Sequence, residues 1–217
     1  MKNREKAPAK IEMRQEQFSM TLQGEQVLQC SLLWPELSGK GLGIRAINRY
    51  YRALAEAWQH RWKTTLYVQA CLDLANRTAE GKLFRPWHAN MQTEITLHTS
   101  DRLSLRQESV ENWGDHYPVS RCVGETWDIG SGAPITLSDC LPQCRKKEIL
   151  TALEEQLTAQ MAREDSLFFQ ESPTILRRQY DPDRFWVEPD GVRIFYPTGL
   201  LGSRAEGMPV FTLSQQA

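Results

Sequence analysis

From Ile44 onward the sequence settles into one period. Ile47, Tyr51, Leu54, Trp58 and Trp62 recur at three- and four-residue steps, the spacing that lines side chains along one face of an α-helix. The pattern runs on through Leu66 toward Leu72 and Ala75 and stops near "AEGK", where Gly81 is placed to serve as the residue just past a helix C-terminus. At 1.5 Å per residue such a rod is roughly 50 Å long. A helix of that length must lie across a large sheet or carry a bend. Its Trp and Tyr stripe would suit a ligand groove, but packing against a sheet accounts for it more simply.

The flanking segments change period. "FSMTL" and "VLQCSLLW" surround the turn "QGEQ" and read as a first hairpin, closed off by "PELSGKGLG". "MQTEITLHTS" and "RLSLRQESVEN" alternate and meet at "SDR", which predicts an antiparallel pair; "VSRCVGETWDI" adds a third strand before "GSGAP" turns the chain. Ile149, Leu150, Leu153, Leu157 and Met161 mark a second, shorter helix. "ESPTILRRQY" predicts a short helix with Ser172 as N-cap and Pro173 in its first turn. In "FWVEPDGVRIFYP" the Pro189-Asp190-Gly191 turn closes an aromatic hairpin that Pro197 ends, and "MPVFTL" is the final strand. Val192, Ile194 and Tyr196 share one face of that hairpin, with Arg193 and Phe195 on the other; one face is expected under the core and the other under the following loop. Strands and helices do not alternate strictly. The expected fold is therefore α+β: a mainly antiparallel sheet, one long helix packed across it, and a second shorter helix. Residues 1–15, charged and containing Ala and Pro, read as a mobile arm; 16–217 read as a single domain with subregions 16–85 and 86–217.

With 217 residues, a chain can bury roughly 70% of its unfolded surface without staples. Net charge is −1 and the basic residues are dispersed, which argues against nucleic acid as a partner. No run of apolar residues is long enough for a membrane span. The five cysteines (Cys30, Cys71, Cys122, Cys140 and Cys144) form no dense framework and read as reduced thiols. For a complete chain this predicts a cytoplasmic setting; a removed leader or anchor would make it extracytoplasmic.

Four landmarks stand in order: "WPELSG" followed by Ile47-Asn48, "LSL" at 103–105, "WDIGSGAPITLSDC" at 127–140, and "FWVEPDGVRIFYP" with "GMPVFTL". Together they resemble the RsiV-like family of bacterial extracytoplasmic domains. It includes the lysozyme-sensing ectodomain of anti-sigma factors, the N-terminal region of a peptidoglycan deacetylase, and secreted mycobacterial immunogenic proteins. The resemblance covers about residues 31 to 213. It implies a binding role without catalytic machinery in the domain itself, and a C-terminal region that helps form a partner-facing surface. The sequence departs from the family in lacking the sensors' transmembrane helix and in carrying "GDHYP", residues 114–118, in place of a glycine-rich "GGAHP"-like loop.

Within "NWGDHYPVS", Trp113 is a candidate stacking platform and Asp115 with His116 a candidate acid–base pair; Tyr117 completes the ligand-contact set. Turn geometry alone also explains the Gly, Asp and Pro of this loop. Cys140 and Cys144 would share a helical face, but His60, His88, His98 and His116 lack ligand spacing, so no metal site is assigned. "DIGSG" lacks the Lys-Ser/Thr of a phosphate loop. No cofactor is implied. The leading expectation is a non-enzymatic binding module for a protein or glycan ligand. The alternatives are a glycan hydrolase using Asp115 and His116, or a homo-oligomeric structural protein.

Overall fold

The computed structural model describes residues 8–214. The chain forms two compact units that no single cut separates: one takes residues up to Glu94 with Gln107–Arg121 and Ile129–Gly132, the other Ile95–Arg106, Cys122–Asp128 and the chain from Ala133. The elements are those of an α+β fold, with strands in one five-stranded and one three-stranded sheet.

In the first unit, β1 (Ile11–Leu22) and β2 (Glu25–Leu37) form an antiparallel hairpin. Gln23 and Gly24, at φ +52° and +88°, supply the two left-handed residues of its tight turn. Because β1 begins at Ile11, the stretch expected as an arm over 1–15 is strand from that residue on; residues 1–7 lie outside the described residues.

The long helix follows as α1 (Leu42–Arg61), a π-helical segment over Trp62–Leu66, and α2 (Tyr67–Ala79). Ile47, Tyr51, Trp62 and Leu66 are fully buried, as the stripe predicts. Beyond Leu66 the expected face is wrong: Ala70 and Leu74 turn inward while Leu72 is 60% exposed. A π turn holds one residue more than an α turn and so moves the inward face by one position. Arg61 and Trp62, at the start of that turn, both bond Glu111, a side chain buried under the helix. Gly81, at φ +67°, ends the rod as predicted, with the Gly81 N–H on Thr78 O (3.1 Å) and the Lys82 N–H on Arg77 O (2.8 Å).

This helix is also a crossover. β2 pairs in parallel with β3 (Trp87–His98), from Leu28↔Trp87 to Leu32↔Met91. Sequence patterning predicts only antiparallel pairs here, because the strand begins at Trp87, four residues before the alternation expected from Met91. A parallel neighbour needs a connection of a dozen residues or more, which the helix provides. β4 (Arg102–Asn112) and β5 (Val119–Asp128) complete the order β1-β2-β3-β4-β5.

The Ile47-Asn48 landmark has a direct physical use. Ile47 is in the core, while the Asn48 side chain accepts from the Leu37 N–H and donates to the Leu37 carbonyl, both at 2.8 Å. It stands in for a strand neighbour at the end of β2. The "DIGSG" turn approaches the start of α1 so closely that a Cβ on Gly43 would lie 2.3 Å from Ile129 O and 2.6 Å from Gly132 N.

In the second unit, β6 (Phe185–Glu188), β7 (Gly191–Phe195) and β8 (Val210–Leu213) form an antiparallel sheet against α4 (Lys146–Met161). Ile149, Leu153 and Leu157 of α4 share a core with Val192, Ile194, Tyr196 and Phe211. Gly191 has φ +156°, and a Cβ there would meet Leu213 O at 2.5 Å, so this turn demands glycine. Phe195 packs on Trp186 at 5.4 Å, and the Arg106 guanidinium sits 5.5 Å from the Trp186 ring. Two short helices, α3 (Leu137–Cys140) and α5 (Ser172–Arg178), complete the unit. Ser172 is not the predicted N-cap: it is the first helical residue, preceded by Glu171, and its buried hydroxyl donates to Leu201 O.

Gly43→Ala separates helix propensity from packing. Propensity alone favours Ala over Gly by about 1 kcal/mol. The close backbone approach predicts the opposite sign, a loss of about 1–3 kcal/mol in denaturant unfolding. A stabilised variant would show that the 129–132 turn can retreat.

Candidate functional site

The loop after β4 holds all the ligand-contact candidates, Trp113, Asp115, His116 and Tyr117. Trp113 is not an exposed platform: it is half-buried, stacked on Trp87 with centroids 5.8 Å apart and planes at 14°. Gly114 adopts φ +65° beneath it, and a Cβ there would crowd Arg85 O at 3.3 Å. Asp115, His116 and Tyr117 then lie on the surface, with Tyr117 82% exposed. Loop geometry thus divides the set into a seated base and an exposed tip.

The base is wired to α2. Trp87 Nε1 donates to Asp73 Oδ2 (3.2 Å), and Arg77 Nε donates to Asp73 Oδ1 (2.9 Å). Arg77 Nη1 reaches Asp115 Oδ2 at 2.6 Å and the Leu83 carbonyl at 3.2 Å, while Arg85 Nε stands 3.4 Å from Asp115 Oδ1. The hydrogen bond from Arg77, followed by the charges of Arg77 and Arg85, holds the Asp115 carboxyl below its ordinary range. Among the described residues no third group orients Asp115 and His116 as a pair; Asp115 is committed to two guanidinium groups. Arg77 and Arg85 were invisible as site residues in the sequence, since neither is near residue 115 in the chain. Only the fold brings them together.

The second unit carries a concavity that sequence reasoning missed. A cleft of about 930 Å³ is lined by Arg102, Asp139, Cys140, Cys144, Glu148 and Thr212, among others. These residues are scattered over more than half the chain, which is why no motif marks them. A smaller cleft of about 370 Å³ shares Leu141, Cys144 and Ile149, and beside it Lys146 Nζ lies 5.4 Å from the Tyr180 ring centroid. Burial raises the pKa of both the Cys140 thiol and the Tyr180 hydroxyl. The helical spacing imagined for Cys140 and Cys144 does not exist, because α3 stops at Cys140; Cys140 is buried and Cys144 exposed. Among the described residues no group of three or more His, Cys, Asp or Glu side chains converges as a metal-holding cluster. No helix among them is long and apolar enough to cross a membrane.

With this geometry established, the chain was compared with known proteins. Residues 142–216 match the family model described as "Protein of unknown function (DUF3298)". That segment contains the last of the four landmarks, the aromatic hairpin with "GMPVFTL". No curated protein matches the sequence. Among solved structures the chain is similar to a DUF3298 family member from Bacteroides fragilis NCTC 9343, at 15% identity and TM-score 0.63, covering 96% of this chain and 92% of that one. It is likewise similar to a DUF3298 family protein from Pseudomonas aeruginosa PAO1, at 12% identity and TM-score 0.62, covering 96% of this chain and 91% of that one. At these identities the likeness establishes the fold.

Two outcomes follow from the loop. Trp113→Ala is expected to lower stability by about 1–3 kcal/mol in chemical denaturation, because it unstacks Trp87. For Asp115, whose folded pKa lies below the ordinary 3.8, the ion pair stabilises the fold above that value and its contribution is lost as pH falls through the lowered one. Carboxyl titration by NMR should place the Asp115 midpoint below 3.8, and Arg77→Gln should raise it.

Proposed function

We propose that this chain is a non-enzymatic binding module whose recognition surface is the exposed tip of the 113–118 loop. One observation carries the reading: Asp115 is paired with Arg77 and Arg85 and its pKa is lowered. A glycosidase acid needs a carboxyl whose pKa is raised, so that it holds a proton near neutrality. Asp115 is shifted the other way, which argues against Asp115 as the proton-donating acid of the hydrolase alternative. An exposed Tyr117 beside a histidine and an ion-paired carboxylate, on a base held by two stacked tryptophans, suits recognition. Tyrosine offers a broad amphipathic contact at low entropic cost, and a rigid base keeps the loop from having to order itself on binding.

The ligand class, a protein or a cell-wall-derived glycan, rests on the resemblance to lysozyme-sensing ectodomains and to the deacetylase N-terminal region. Calorimetric titration of the chain with lysozyme and, separately, with muropeptides tests it. Binding of one of them is expected, lost in Tyr117→Ala and His116→Ala with melting temperatures unchanged. Binding of neither, or binding indifferent to both substitutions, would remove the loop from the site. Cleavage of muropeptides that disappears in Asp115→Asn would instead favour the hydrolase.

A further inference from the structure

A sheet edge presents alternate backbone N–H and C=O groups that must be covered or will recruit another strand. In the three-stranded sheet both edges are covered by side chains. Along β8, the Gln156 amide donates to Thr212 O (2.7 Å) and accepts from the Thr212 N–H (2.9 Å). Along β6, the Val187 N–H donates to Ser104 Oγ and Thr96 Oγ1 donates to Val187 O, each at 2.8 Å.

The outer edge of the five-stranded sheet at β1 is different. The bond from the Ser38 N–H to Lys10 O (2.8 Å) shows Lys10 turned toward β2. Antiparallel pairing alternates, so Glu12, Arg14 and Glu16 also face β2 with their backbone groups. Ile11, Met13, Gln15 and Gln17 therefore turn theirs outward, and among the described residues nothing bonds them. Charges on an edge ordinarily repel a second strand. Here the alternating Lys10, Glu12, Arg14 and Glu16 are self-complementary in one register.

We infer that β1 pairs antiparallel with β1 of a second copy of this chain, about a two-fold axis at Met13. In that register Met13 meets Met13 as a hydrogen-bonded pair, and Ile11 meets Gln15. Lys10 faces Glu16 and Glu12 faces Arg14, each twice by symmetry. An axis at Arg14 would oppose Arg14 to itself and Glu12 to Glu16. An axis at Gln15 keeps only the Arg14–Glu16 pairs and sets Glu12 against Phe18. Opposite charges directly across a strand pair stabilise it and like charges destabilise it, so electrostatics selects the Met13 axis. The existing intrachain contacts are Lys10 with Glu12 at 2.9 Å, Arg14 with Glu12 at 3.8 Å and with Glu36, and a partly buried bond from the Gln59 amide to Glu16; the exposed ion pairs re-form at little cost. Met13, already 37% exposed, loses solvent at the axis.

Sedimentation equilibrium of the full chain, from low micromolar to millimolar, should show a monomer–dimer equilibrium. Met13→Pro removes an N–H that makes no intrachain bond and should abolish the dimer while leaving circular dichroism unchanged. Arg14→Glu creates two like-charge pairs and should weaken the dimer Kd about tenfold or more. The double swap Glu12→Arg with Arg14→Glu should restore it, although the bond to Glu36 stays lost; an effect exerted through Glu36 would not be rescued. A chain monomeric throughout, a dimer indifferent to Met13→Pro, or a swap that fails to rescue would overturn the inference.

Discussion

A buried carboxylate holds the long helix in place. Glu111 on β4 accepts from Arg61 Nε and Nη2, both at 2.9 Å, and from Trp62 Nε1 at 3.1 Å. An unpaired charge at such depth would cost several kcal/mol, so the three donors are a requirement of burying it. Consecutive residues on an α-helix point about 100° apart, which makes it hard for two neighbours to reach one carboxylate. The helix widens into its π segment at this very point. Cys30 lies in the core beneath, where burial pushes its thiol up to about 12.

A second theme is the use of side chains as substitutes for strand partners. Asn48 completes the end of β2, Gln156 the outside of β8, and the hydroxyls of Ser104 and Thr96 the outside of β6. Each buried or covered backbone group would otherwise be left without a bond, a loss of about 1–3 kcal/mol. Ser104 is fully buried and also meets Thr126 Oγ1 at 2.9 Å, so one hydroxyl ties strands of the larger sheet to β6 within the second unit. Three of the four sequence landmarks thus have structural duties: Asn48 and Ser104 satisfy backbone, and Gly132 permits a close approach. The fourth, the Pro189-Asp190-Gly191 turn, satisfies φ and space at once.

What could be read in the sequence was whatever depended on local period or turn chemistry. The stripe from Ile47 to Trp62, the α4 stripe, the C-terminal hairpin and the Gly81 helix end are all local, and all are present. The parallel β2–β3 pairing was not legible, since strand sense depends on where a fifty-residue excursion of the chain returns. Nor was the true character of the candidate loop. Trp113 and Tyr117 look alike as aromatic loop residues, yet one is stacked on Trp87 and the other stands in solvent. The arginines that fix the charge state of Asp115 come from α2 and from the segment leading into β3. Long-range partners of this kind leave no spacing to detect.

The π segment bears on how this chain relates in length to its kin. Its extra residue is a bulge inside an otherwise regular rod, so loss of one residue within 62–66 would close it to plain α-helix and keep the inward faces on both sides aligned. Removing a residue anywhere else along the rod would rotate one half against the other. When homologous chains are laid side by side, a single-residue gap in the middle of this helix is therefore an expected mark of descent, and its absence elsewhere along the rod the corresponding constraint.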